Sequence, residues 1–225
     1  VGVNFDKQIV LKVKTVFFIS QTILDLYFDN CIISSIMKNE KHKFKVRYLG
    51  VENAYDLTYK SSPVFILLSV SSVIELKRID KIIECLSSFD KQIKWIHIGD
   101  GPLLSRIKEL ASLKLDPNKN VKYEFLGHLP NNKVLTFLND NKIDAFLNVS
   151  SVEGISVAIM EALSFGIPII ATDVGGTKEI VTENVGILIV DSCPIDELEK
   201  AIKRIYLLNE QEKNSYFKKC RERWD

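Results

Sequence analysis

The chain has 225 residues, 46% of them hydrophobic and 26% charged, which is enough length and apolar content for a sizeable core. Thirty Lys and Arg against 29 Asp and Glu leave a formal net charge of +1, so no overall field recommends a nucleic acid as partner, and any anionic ligand has to be held by local groups. The longest apolar runs, "VFILLSV" and "IPIIA", fall well short of the roughly 20 residues of a membrane span, and the start has no charged-then-apolar signal pattern.

Four cysteines, Cys31, Cys85, Cys193 and Cys220, lie far apart without a Cys-x-x-Cys pair. They read as reduced thiols and point to the cytoplasm. Contact with the inner face of a membrane, through another part of a longer protein, stays open.

In chain order, "KTVFFIS" reads as a strand, "QTILDLYFDN" with "CIISSIMKN" as a helix, and "FKVRYLGVEN" as a strand ending in a turn. The basic run "KNEKHKFK" reads as a solvated turn rather than a membrane patch. One strand-helix-strand unit is too small for its own core, so residues 1–60 are expected either to pack on the rest or to be the remnant of a second, N-terminal domain with its linker. Residues 61–225 form the main domain. There, strands at 63–70, 93–99, 121–127, 143–150, 167–173 and 185–190 alternate with helical patterns at 76–89, 102–113 and 132–140, then over "SVAIMEAL", "GTKEIVTE" and "PIDELEKAIKRIYLLN". Six strand-helix repeats predict an α/β fold, a Rossmann-like doubly wound parallel sheet. Ligands of such sheets gather at the carboxyl ends of the strands, where "GDGP", "LGHLPNN", "SSVEG" and "DVGGT" cluster. The final "KNSYFKKCRERWD" is helical and has no trailing cap, so both ends read as a piece of a longer chain.

Within "SSVEGISVAIMEALSFGIP", Glu153 follows a strand and Gly154-Ile155-Ser156 opens a helix. A helix start offers unpaired N–H groups and the positive end of its dipole, which suits a diphosphate. Glu161 stands among Val157, Ala158, Ile159, Met160, Ala162 and Leu163. It is either the polar edge of an amphipathic helix or a carboxylate whose partner is a sugar diol.

"SSVEGISVAIMEALSFGIPIIATDVGGTKEIV" resembles the signature of the retaining glycosyltransferases of GT-B fold, glycosyl transferases group 1, in which two glutamates are separated by seven residues. "LLSVSSVIELKRIDKIIECL", "WIHIGDGPLLSRIKELA" and "VKYEFLGHLPNNKV" resemble other blocks of that family in the right order. The resemblance implies the donor-binding C-terminal half, with Glu153 facing the donor sugar and Glu161 holding the ribose. Gly154, Ile155 and Ser156 would meet the diphosphate and sugar, and Lys77 would neutralise the departing diphosphate. Gly127, His128 and Leu129 would border the base and Gly101 would make a secondary donor contact. It implies no metal and no further cofactor. The substrates would be a nucleoside diphosphate sugar of UDP or GDP type and a saccharide or lipid-linked acceptor bound through the preceding domain, in bacterial surface polysaccharide or glycolipid synthesis.

One departure stands out. Where the family carries Gly-Arg ahead of its lysine, this chain has Ser71 and Ser72. Arg78, next to Lys77, would point elsewhere. A nucleotide-sugar-binding module without transfer activity, or a sugar-nucleotide epimerase of the same fold, are the alternatives.

The remaining candidates read structurally. "GDGP" lacks a dinucleotide fingerprint and reads as a strand-to-helix turn, His97 as a strand residue, and Glu179 as a helix surface charge. "DVGGT" is either a flexible connection, with Thr177 as a cap, or a donor contact. No Asp-x-Asp or histidine cluster points to a divalent ion.

Overall fold

Six short apolar runs carry the larger sheet, and alternate residues along each face opposite sides. The computed structural model describes residues 10–30, 39–52, 55, 57–59, 64–192 and 194–224. Strands β3 (Phe65–Val70), β4 (Ile93–Ile98), β5 (Val121–Gly127), β6 (Ala145–Asn148), β7 (Ile169–Thr172) and β8 (Gly186–Ile189) form one parallel sheet in the order β5-β4-β3-β6-β7-β8. Leu67, Trp95, Leu147 and Ile170 point into one apolar cluster, shared with helices α2 (Ile79–Ser87), α3 (Leu104–Leu115) and α7 (Ile195–Tyr206). Their neighbours Leu68, Ile96, Phe146 and Ile169 point into the other, shared with α4 (Asn131–Asp140), α5 (Val157–Ser164) and Cys220 of α8 (Glu210–Trp224). Burial on both faces is why these strands read as continuous apolar runs. Trp95 is fully buried, and truncating such a side chain to Ala costs about 3–5 kcal/mol.

Chain order runs outward from β3 in one direction and then from β6 in the other. The crevice between their carboxyl ends is therefore the topological switch point, the place where ligands of doubly wound sheets bind.

Most differences from the sequence reading are of boundary. The helix expected over 76–89 is broken: a 3-10 turn, Glu75–Lys77, is followed by Arg78 in the left-handed region at φ 48°, and α2 begins at Ile79. The helix expected in "GTKEIVTE" shrinks to α6 (Thr177–Ile180).

The first segment holds β1 (Val16–Phe18), α1 (Gln21–Asn30) and β2 (Phe44–Val46), with β1 and β2 paired in parallel. Val10, Leu24 and Phe44 are buried together, and the rings of Phe18, Tyr27, Phe28 and Phe44 lie 5.0–6.0 Å apart. The helical continuation expected from Cys31 and the boundary expected at 60–61 lie outside the described residues, as does Cys193.

Candidate functional site

Lys77 reaches the switch point from the loop after β3, and Glu153 from the loop after β6. Their side chains meet, Lys77 Nζ donating to Glu153 Oε1 at 2.6 Å. Ser150 Oγ donates to the same oxygen at 2.7 Å and Asn148 Nδ2 at 3.1 Å. Burial pushes the Glu153 carboxyl up, but these three donors outweigh it and hold the group below the usual carboxylate range. The loops are also tied through their backbones, Ser151 N–H donating to the Leu76 carbonyl at 2.8 Å.

Arg78 takes another direction. Its guanidinium donates to the carbonyls of Val149 at 2.6 Å, Ser150 at 3.0 Å and Asp191 at 3.2 Å, and pairs with the Asp191 carboxylate at 2.7 Å. It braces the loops after β6 and β8, and this explains the left-handed backbone that interrupts the expected helix. Ser71 and Ser72 cap the end of β3, with Ser72 exposed.

Gly154 and Ile155 precede α5 rather than open it. Ser156 is its N-cap, its Oγ accepting the Ile159 N–H at 3.4 Å and an Asn148 Nδ2 bond at 3.3 Å. Asn148 thus links the cap of α5 to Glu153. The Ile155 side chain is buried, so that residue offers the site its backbone.

Glu161 is 6% exposed, and Asn131 Nδ2 donates to its Oε1 at 2.6 Å. Burial raises its pKa and the Asn131 bond only partly offsets that. The polar-edge reading of this helix fails, because Glu161 faces the protein rather than solvent. Asn131, at the start of α4, was not singled out by the sequence; no local pattern marks a contact across 30 residues. Just before it, Gly127 (φ 68°), exposed His128 and half-buried Leu129 form the turn after β5.

Two glycine turns are shaped by close approach. A Cβ on Gly101 would lie 2.5 Å from the Val73 carbonyl oxygen, and one on Gly99 would lie 1.8 Å from that of Ser71. "GDGP" therefore serves to seat the loop leading to Lys77. Gly175 (φ 53°) would place a Cβ 1.7 Å from the Glu153 carbonyl oxygen, and Gly176 N–H donates to the Gly154 carbonyl at 2.8 Å. "DVGGT" is a fitted lid on the Glu153 loop rather than a slack connection. Thr177 is buried and makes no side-chain cap. Glu179 is not a mere surface charge, since its carboxylate accepts the N–H groups of Gln21 at 2.9 Å and Thr22 at 2.7 Å. His97 lies buried in β4 with Nδ1 2.9 Å from Ser69 Oγ, and desolvation lowers its pKa to about 4.

Among the described residues no group of three or more His, Cys, Asp or Glu could hold a metal ion. Nor is any described helix long and apolar enough to cross a membrane.

The family model of glycosyl transferases group 1 matches residues 58–223. The chain belongs to this family. The glycosyl transferases group 1 chain is 27% identical over 165 residues to a phosphatidylinositol N-acetylglucosaminyltransferase subunit from Arabidopsis thaliana, covering 71% of this chain and 36% of that protein. Its fold matches Anabaena HepE, solved with UDP and glucose, at TM-score 0.72 and 22% identity, covering 93% of this chain and 58% of HepE. It likewise matches the Thermosynechococcus elongatus sucrose-phosphate synthase at TM-score 0.78 and 18% identity, covering 99% of this chain and 56% of that one. This family member therefore spans about a third to three-fifths of the relatives it matches, and its fold is that of the GT-B glycosyltransferases.

Proposed function

We propose that the chain is the donor-binding half of a retaining glycosyltransferase, which moves a hexosyl unit from a nucleoside diphosphate sugar to an acceptor hydroxyl. The observation that carries this reading is the Lys77–Glu153 pair at 2.6 Å across the switch point. A cation and a carboxylate from opposite halves of the sheet meet there beside a capped helix start.

Each group has a role that its chemistry supports. Lys77 turns to the leaving diphosphate, where a charge-assisted contact stabilises the charge that develops as the glycosidic bond breaks. N–H groups at the start of α5 assist it. Glu153, released from Lys77 but still held by Ser150 and Asn148, orients the sugar hydroxyls. Glu161 accepts the hydroxyls of the ribose. Gly127, His128 and Leu129 border the base, and Gly101 and Ser72 line the diphosphate side. UDP is the first donor type to try, because HepE was solved with UDP and glucose, with GDP the second. The acceptor, a saccharide or a lipid-linked one, is bound through the preceding domain, and the Arabidopsis relative's name favours a glycolipid setting.

Calorimetric titration with UDP, GDP, ADP and their sugars, with and without magnesium, tests the reading. One nucleoside diphosphate should bind, and binding of none would sink it. Glu161→Ala should weaken that binding about tenfold to a hundredfold, the worth of hydrogen bonds to a charged group. In the longer protein, an inverted product anomer contradicts the retaining mechanism. The serines at 71 and 72, together with the commitment of Arg78 to backbone carbonyls, favour a second reading, a binding module without transfer. Donor consumption separates the two.

A further inference from the structure

The glycine lid over Glu153 has a second face, turned to the N-terminal unit. A Cβ on Gly176 would lie 2.6 Å from the Gly154 carbonyl oxygen and 2.9 Å from the Ser20 Cβ, and one on Gly154 would lie 3.2 Å from Ile19 Cδ1. The end of β1 therefore rests on the same two loops that carry the candidate donor site.

Glu179 fixes that contact. Its Oε2 accepts the Gln21 N–H at 2.9 Å and its Oε1 the Thr22 N–H at 2.7 Å, across 158 and 157 residues of chain. A helix start leaves its first N–H groups unpaired and carries a partial positive charge, so a carboxylate there stabilises it. Such a carboxylate usually comes from the helix's own neighbourhood. In α1 the local cap is already present, buried Ser20 accepting the Ile23 N–H through Oγ at 3.0 Å. Glu179 adds two further charge-assisted bonds from the other unit. It is itself held in place, bonded to the Tyr48 hydroxyl, with Arg223 donating to its main-chain carbonyl. Burial raises the Glu179 carboxyl, and the Thr22, Gln21 and Tyr48 bonds together bring it below the usual range.

We propose that Glu179 is a positioning residue of the donor site, locking the N-terminal strand-helix-strand unit onto the Gly175–Gly176 loop and so holding that loop against Glu153. The unit in front of the sheet thus becomes part of what shapes the sugar end of the site. The ligand half of the test rests on the donor reading above; the exchange half does not.

Amide hydrogen exchange followed residue by residue on Glu179→Ala decides the coupling. The amides of Gln21 and Thr22 should exchange about tenfold faster or more, and so should that of Gly176, while Leu67 and Trp95 in the central strands keep their protection. Faster exchange at Gln21 and Thr22 with Gly176 unchanged would show only a local cap and overturn the proposal. Should Glu179→Ala fail to fold, Gln21→Pro removes one donor at a helix position that tolerates proline, and Glu179→Gln keeps one acceptor oxygen. Both should speed exchange at Thr22 and Gly176 with smaller amplitude, Gln21→Pro leaving no amide to follow at position 21, and Gly176 unchanged in both would overturn the proposal. In the longer protein, UDP and UDP-glucose, or GDP and GDP-mannose if the chain takes those, provide the second arm. Glu179→Ala should leave the nucleotide's affinity unchanged and weaken the nucleotide sugar about tenfold, with Glu179→Gln restoring part of the loss. Equal affinities in variant and parent would overturn the proposal. If neither ligand binds the parent protein, the donor reading fails, and the exchange result still decides the role of Glu179.

Discussion

Glu161 and Glu153 are both withdrawn from solvent, yet their surroundings shift them in opposite directions. Glu161 has a single amide donor, Asn131, and burial raises its pKa above the ordinary 4.5. As pH rises, the unfolded chain gives up this proton first. Its contribution therefore lowers stability progressively from about pH 4.5 up through the raised folded value. Glu161→Gln removes that penalty, so the ligand-free variant should gain about 0.5–2 kcal/mol at neutral pH, as is common when a strained functional group is relieved. Thermal unfolding with nucleotide titration checks this, and a less stable variant would refute the account. Glu153 is the mirror case. Lys77, Ser150 and Asn148 hold its pKa low, so its stabilisation is present above the ordinary carboxyl range and is lost as pH falls through the folded value. Lys77→Met should move the Glu153 titration upward in carboxyl NMR and destabilise the fold by about 1–3 kcal/mol, less than the loss for a fully buried pair. A titration that stays in place would remove Lys77 from the account. Glu153, Glu161 and Lys77 are legible in the sequence because one continuous block and one spaced lysine mark them. Asn131 and Glu179 are not, since their partners lie 30 and 157 residues away and neither breaks a local pattern.

Elements are legible where burial alone decides them. The six strands read directly from their apolar runs, because both faces are covered. The segment 75–87 does not, because its backbone answers to a side chain: Arg78 adopts φ 48° in reaching the carbonyls of Val149 and Ser150, and no periodicity records that. The two glycines with positive φ at 127 and 175 illustrate the same limit. Both read as turns from their neighbours in the chain, but a Cβ on Gly127 would meet nothing within 4 Å, whereas one on Gly175 would collide with the Glu153 carbonyl. Gly127→Ala should cost only the left-handed backbone term, about 1–2 kcal/mol. Gly175→Ala should cost more and abolish binding of the nucleotide sugar while the sheet persists by circular dichroism. Equal losses from the two substitutions would show that the close approach to Glu153 does not matter.

At the scale of the whole chain, the doubly wound sheet follows from the alternation of strand and helix, while the seating of the N-terminal unit does not. That unit is joined to the rest by specific bonds, Glu179 to α1 and Trp224 Nε1 to the Val51 carbonyl at 2.9 Å, rather than by a pattern a reader of sequence could count. The strand order has a practical outcome. Because β3 and β6 sit side by side at the centre while their sequences lie far apart, a single cut between Asn141 and Lys142 would leave Lys77 on one fragment and Glu153 on the other. Neither fragment alone should bind nucleotide, and mixing the two should restore binding; retained binding by one fragment would contradict a site shared across the sheet. The same crevice that would hold a sugar donor would then serve as a built-in reporter of chain reassembly, switched on only when the two halves of the sheet find each other.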